Sequence, residues 1–182
     1  METQRPDSQQ VFEITQETRN NVLELQIYSA FWVLNKTGLD LQFKVRGENN
    51  IYTFPKDDSS TPLMLLYRNR KKAKGNICLA DSDDSWSEDF SLSAIGDENH
   101  VDIKDQHNQP YTIHIENVMS RTNLTNIITL SPRCIISNHT QNDIQFAEAD
   151  KPIADVQWLS LAPNQVKGSL LFSTYFQSIP IV

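Results

Sequence analysis

From Leu39 to Arg46 apolar and polar side chains alternate without a slip. Leu39, Leu41, Phe43 and Val45 fall on one side; Asp40, Gln42, Lys44 and Arg46 fall on the other. A period of two is what a strand with one buried and one wet face requires, and a helix cannot use it. Just upstream, Asn35-Lys36-Thr37-Gly38 breaks the apolar run that begins at Tyr28. That tetrapeptide reads as a tight turn, with Gly38 free to take positive φ.

The same period recurs along the chain. Leu23, Leu25 and Ile27 alternate with Glu24, Gln26 and Tyr28, and Tyr111, Ile113 and Ile115 alternate with Thr112, His114 and Glu116. Shorter strands are expected at 11–15, 51–54, 63–67, 77–79, 90–92, 101–104, 127–130, 134–136, 144–146, 158–161 and 166–172. Turns are expected at 18–21 and 47–50, and residues 1–10 read as disordered or carried by a neighbouring segment. No apolar period of three to four residues is sustained over ten positions. Short strands punctuated by Gly, Pro and Asn argue an all-β chain built as a sandwich.

An internal match sets the domain organisation. An offset of 103 residues aligns the nine residues Asn35–Phe43 with Asn138–Phe146, and five positions are identical: Asn, Thr, Asp, Gln and Phe. Ile144 stands where Leu41 does, and Ile135 and Ile136 stand where Trp32 and Val33 do. A module of about 100 residues that repeats is the expected cause. The expected division is a polar segment at 1–21 that could end a preceding repeat, a β-sandwich repeat module at 22–129, and a partial second copy at 130–182.

Three blocks, in order, carry a resemblance to a known family: Ile27–Leu39 (IYSAFWVLNKTGL), Trp86–Leu92 (WSEDFSL) and Leu124–Asn138 (LTNIITLSPRCIISN). Together they resemble the repeats of the adaptor-binding region of the vacuolar protein sorting 13 family of bridge-like lipid transfer proteins. The resemblance implies a string of β-sandwich repeats that binds organelle adaptors, some through proline-containing linear motifs, and so targets the protein to organelle membranes or contact sites. It implies that Asn35 and Asn138 are the characteristic repeat asparagines. Two positions depart from the pattern: Ala30 replaces a frequent proline, and Gln141 replaces the glycine equivalent to Gly38.

Asn35 and Asn138 also have a reading of their own. An asparagine just beyond a strand can bind the backbone of the following turn, or it can meet an adaptor peptide directly. The run Arg68, Arg70, Lys71, Lys72 and Lys74 could contact anionic lipid headgroups; the alternative is a solvated loop or guarded edge. The acids Asp81, Asp83, Asp84, Glu88 and Asp89 lack the spacing of a calcium loop, and balancing the basic run is their expected role. Trp32 reads as core, Trp86 and Trp158 as core or layer-edge aromatics.

Composition narrows the function classes. With 16 Lys plus Arg against 23 acids, the net charge is −7, which disfavours nucleic acid as a partner. Cys78 and Cys134 have no metal-type spacing and read as reduced, partly buried thiols. No window of 18 apolar residues occurs, and residues 1–20 carry no signal-peptide core, so a cytoplasmic location is expected and the Asn-x-Thr triplets at Asn35, Asn123 and Asn138 read as turns. His100, His107, His114 and His139 form no metal motif, and neither a nucleophile elbow nor a phosphate loop is present. A noncatalytic binding module without cofactor is the expectation. The alternatives are a spacer repeat with no partner site, or a peripheral anionic-lipid binder.

Overall fold

The structure, a computed structural model, describes residues 12–56, 58–66, 70–82, 85–96, 98–108, 110–148, 158–169 and 176–180. Residues 1–11, with the disorder expected there, lie outside this set, as do Arg68, Asp83, Asp84 and 170–172. The described residues form sixteen strands and a single 3-10 turn at Arg70–Lys72.

Two sheets face each other. One has five strands in the order β6 (Leu63–Leu65), β3 (Phe31–Asn35), β11 (Asn126–Pro132), β10 (Pro110–Met119) and β9 (Glu98–Lys104). Within it β3 and β11 run parallel, and every other neighbour is antiparallel. The other has four strands, in the order β5 (Ile51–Phe54), β4 (Leu41–Val45), β7 (Lys74–Leu79) and β8 (Phe90–Ser91). One apolar cluster joins Phe31, Val33, Ile113, Ile115, Ile128 and Leu130 of the first sheet to Leu41, Phe43, Val45, Ile77 and Leu79 of the second. Phe43 lies at its centre, edge-on to Phe54 with ring centroids 6.1 Å apart and tilted against Phe90 at 6.3 Å. Gly75 is required beside it: a Cβ there would sit 2.7 Å from Phe43 Cε2.

The alternation expected in β4 is realised, since Leu41, Phe43 and Val45 are buried while Gln42 and Lys44 are half-buried on the other face. The strand itself starts at Leu41. Leu39 packs against the core from the turn, because its backbone is already engaged there. Trp32 does not enter the interior. Strand β3 turns Phe31, Val33 and Asn35 inward, which places Trp32 half-buried on the opposite face. Period-two geometry forces that outcome once Phe31 is inside.

Among the described residues, the first two strands pair only with each other. β1 (Glu13–Arg19) and β2 (Val22–Tyr28) form an antiparallel hairpin closed by Asn20 and Asn21, both with positive φ (51° and 62°). The short strand and four-residue turn expected over 11–21 are therefore one longer strand and a two-residue turn. A two-residue loop with left-handed backbone at both positions matches strand twist, and asparagine tolerates that conformation.

Beyond β11 the chain makes β12 (Cys134–Ser137), paired with β15 (Val166–Ser169), and β13 (Ile144–Glu148), which lies between β14 (Leu159–Leu161) and β16 (Phe176–Pro180). Phe146, Ala147 and Leu161 are buried there. Cys78 is buried and Cys134 half-buried, and both are thiols.

Candidate functional site

Asn35 ends β3 pointing inward and is 1% exposed. Its Nδ2 donates to the Leu39 carbonyl at 2.8 Å, and its Oδ1 accepts from Thr37 N–H at 3.0 Å and Thr37 Oγ1 at 2.7 Å. Thr37 Oγ1 in turn accepts from Leu39 N–H at 3.1 Å. One side chain thus holds both ends of the loop that carries the chain from the five-stranded sheet to the four-stranded one. The adjacent Lys36 N–H bonds the Leu130 carbonyl at 2.7 Å, which ties the turn to β11. Gly38 sits at the apex with φ 75°.

Asn138, also 1% exposed, makes the same set of contacts. Its Nδ2 reaches the carbonyls of Asn142 at 2.8 Å and Leu161 at 2.9 Å, and its Oδ1 accepts from Thr140 N–H at 2.9 Å and Thr140 Oγ1 at 2.7 Å. Thr140 Oγ1 accepts from Asn142 N–H at 3.3 Å. The turn closes here without a left-handed residue at Gln141. In both places the amide bonds the backbone and the threonine hydroxyl of its own turn.

Beside the first turn lies a cleft of about 420 Å³ lined by Gly38, Leu39 and Asp40 of the turn, Lys56, Leu79, Ala80 and Asp81, and Asp105 and Tyr111. Three carboxylates face one ammonium, so the cleft favours cationic groups. Asp40 Oδ1 is held by the backbone N–H of Lys56 at 2.8 Å, and Asp105 Oδ1 by that of His107 at 2.8 Å. The Tyr111 hydroxyl donates to Asp105 Oδ2 at 3.3 Å. Burial, and then the charges of Asp105 and Asp81, push the Tyr111 phenol above its usual range, so it remains a neutral donor, half-buried against the core. Nothing in the local sequence marks this cleft, because its walls come from four separated stretches.

The described part of the basic run lies at the start of the four-stranded sheet's β7. Lys71 and Lys72 are exposed around the 3-10 turn, whereas Lys74 opens β7 and lies 3.7 Å from Asp89 Oδ2. Only the backbone of Arg70 is described, and Arg68 lies outside the described residues. Asp89 also pairs with Arg46 and accepts from Asn76 Nδ2 at 2.8 Å. The Asn76 hydrogen bond first, and then Arg46 and Lys74, hold its carboxyl below the ordinary value. Trp86 is half-buried with the Lys44 ammonium 3.8 Å above its ring, a contact that both orders the acidic loop and covers the indole. Among the described residues, no group of three His, Cys, Asp or Glu side chains is arranged to hold a metal ion. No helix among them is long and apolar enough to cross a membrane.

Comparison with known proteins agrees with the turn and sheet pattern. Residues 8–170 match the family model of the vacuolar-sorting associated protein 13 adaptor binding domain. The mouse intermembrane lipid transfer protein VPS13C is 28% identical over 145 residues, covering 79% of this chain and 4% of that protein. Human VPS13C is 28% identical over 143 residues (78% and 4%), and mouse VPS13A is 26% identical over 138 residues (76% and 4%). The chain therefore spans about 4% of the length of the relatives it matches.

Proposed function

Because the chain belongs to the vacuolar-sorting associated protein 13 adaptor-binding domain family, we propose that it works by recruitment: it binds partner peptides that hold a bridge-like lipid transfer protein at an organelle membrane or contact site. The single observation that carries this reading is the family match over 8–170. As a member of an adaptor-binding family it is a noncatalytic module, and the filled interior of its sandwich fits that work better than lipid passage, which needs an open apolar groove.

The reading extends to organisation: one copy of a repeated module and a partial second. Strand order supports it. β3 pairs with β6 as β12 pairs with β15, and β4 lies between β5 and β7 as β13 lies between β14 and β16. The matching asparagine turns at Asn35 and Asn138 join the same pair of strands in each set.

The partner, in this reading, is an extended proline-containing segment with basic flanks, lying along the cleft beside the Asn35 turn. Asp81 and Asp105 supply the charge, and Leu39, Leu79 and Tyr111 line the cleft with apolar surface. Asn35 shapes the cleft by fixing its turn and does not touch the peptide. An extended segment loses conformational freedom on binding, which offsets contact energy and sets the expected Kd at about 1–100 µM.

Titration calorimetry with a panel of proline-containing peptides, with and without flanking lysines, tests this. Saturable binding that Asp81→Lys weakens supports it. A folded protein that binds no peptide in the panel is a spacer instead. Flotation with anionic vesicles that depends on Lys71 and Lys72 would favour headgroup binding in its place.

A further inference from the structure

Two histidines that no sequence motif connects become neighbours once β9 pairs with β10. The register puts His114 directly opposite His100. Ile113 and Ile115, on either side of His114, are 0% and 2% exposed, and Val101 next to His100 is buried. Period-two geometry therefore turns both histidines to the outer face of the five-stranded sheet. There His100 is exposed and His114 half-buried.

The adjoining rung on the same face shows that side chains meet across these two strands, since Thr112 Oγ1 donates to Asp102 Oδ1 at 2.8 Å. Facing residues of an antiparallel pair have Cβ atoms about 5 Å apart. Two imidazoles so placed can close on one ion, with a ring nitrogen of each about 2 Å from it. Local charge favours a cation. Asp102 and Glu116 lie on the same face, two residues from His100 and His114, and the residue opposite His114 on β11 is the uncharged Ser131.

We propose that His100 and His114 form a two-imidazole site for a divalent metal ion of the zinc class. Such ions favour imidazole, whereas Mg²⁺ and Ca²⁺ take oxygen ligands. Two protein ligands leave the remaining coordination positions open to water or to a group from a partner, so this is a surface chelate and not a closed structural centre. It is accordingly distinct from a cluster of three or more ligands, which does not occur among the described residues. Its consequence for the fold is local. β9 is the outermost strand of its sheet among the described residues, and an ion held by His100 from β9 and His114 from β10 clips that edge to its neighbour.

Calorimetric titration of the chain, free of any polyhistidine tag, with Zn²⁺ in a non-chelating buffer tests the proposal. One ion per chain is the expected stoichiometry, and an excess of Mg²⁺ should not displace it. His100→Ala and His114→Gln should each weaken zinc binding about 100-fold, because a single imidazole forfeits the chelate. His107→Ala and His139→Ala remove exposed histidines outside the pair and should leave the titration unchanged. Melts without metal establish that each variant is folded. Ring-proton NMR of the unsubstituted protein reads the same site without a substitution: zinc should shift His100 and His114 together while His107 and His139 stay in place. Zinc affinity that survives both pair substitutions, or that falls with His107→Ala instead, overturns the proposal. So does an unsubstituted protein that binds zinc no more tightly than the pair variants do. Neither result bears on the recruitment reading, which the peptide titration decides.

Discussion

Asn35→Ala is the substitution that most directly probes the turn on which both the sandwich and the cleft depend. Alanine removes the 2.8 Å bond to the Leu39 carbonyl and the two bonds that Oδ1 accepts from Thr37. Each such bond contributes about 0.5–1.5 kcal/mol net, and the Thr37 N–H, left without its partner in a buried turn, costs about 1–3 kcal/mol. Water can reach the half-buried Leu39 more easily than Thr37, so the full sum is not reached. The expected loss is about 2–4 kcal/mol, which corresponds to a fall in Tm of roughly 5–15 °C for a domain of this size. Thr37→Val, which removes the hydroxyl but keeps the volume, should cost about 1–2 kcal/mol for its two lost hydrogen bonds. Because the two residues act through one network, the double variant should fall short of additivity by about 0.5 kcal/mol or more. Urea denaturation followed by tryptophan fluorescence measures all four proteins. If Asn35→Ala unfolds within about 0.5 kcal/mol of the unsubstituted protein, the amide does not hold the turn and the account of the site fails.

Three further outcomes follow from the same packing and charge. Gly75→Ala should destabilise by about 1–3 kcal/mol in urea, because the new methyl meets the buried Phe43 and Phe90 rings, which have nowhere to move. Asp89→Asn should lower Tm modestly at neutral pH by loosening Arg46 and Lys74. Since the folded carboxyl lies below its unfolded value of about 3.9, the Asp89 contribution is whole above that pH and disappears as pH falls through the folded value. Melts of the two proteins should therefore converge at acid pH, and a gap that persists there contradicts the assignment. Asp81→Lys should weaken a lysine-flanked peptide several-fold in titration calorimetry while leaving the urea midpoint unchanged, since Asp81 is exposed at the cleft.

Much of the sandwich is legible in single stretches. The alternation of Leu41, Phe43 and Val45, or of Ile113 and Ile115, is local, and the pleat translates it directly into one inward face. The asparagine turns are legible for the same reason, because donors and acceptors all lie within four residues except the Leu161 carbonyl on Asn138. Trp32 escapes this reading. Phe31, Trp32 and Val33 are all apolar, so the run carries no period to say which of them faces in, and only the buried Asn35 two residues on sets the phase. The cleft escapes it more completely. Asp40, Asp81 and Asp105 converge through strand pairing across dozens of residues, and no spacing rule connects them. Within the basic run, the contact of Lys74 with Asp89 is likewise set by where β7 begins and not by spacing along the chain.

The hairpin β1–β2 shows where a local pattern stops being sufficient in principle. Leu23, Leu25 and Ile27 alternate as cleanly as Leu41, Phe43 and Val45 do, and an identical inference, one face buried, applies to both. Yet β4 is buried because β5, β7 and the opposing sheet lie within the same hundred residues, whereas among the described residues β2 pairs only with β1. Periodicity reports that a strand has a face to bury; what buries it depends on chain that can lie far away.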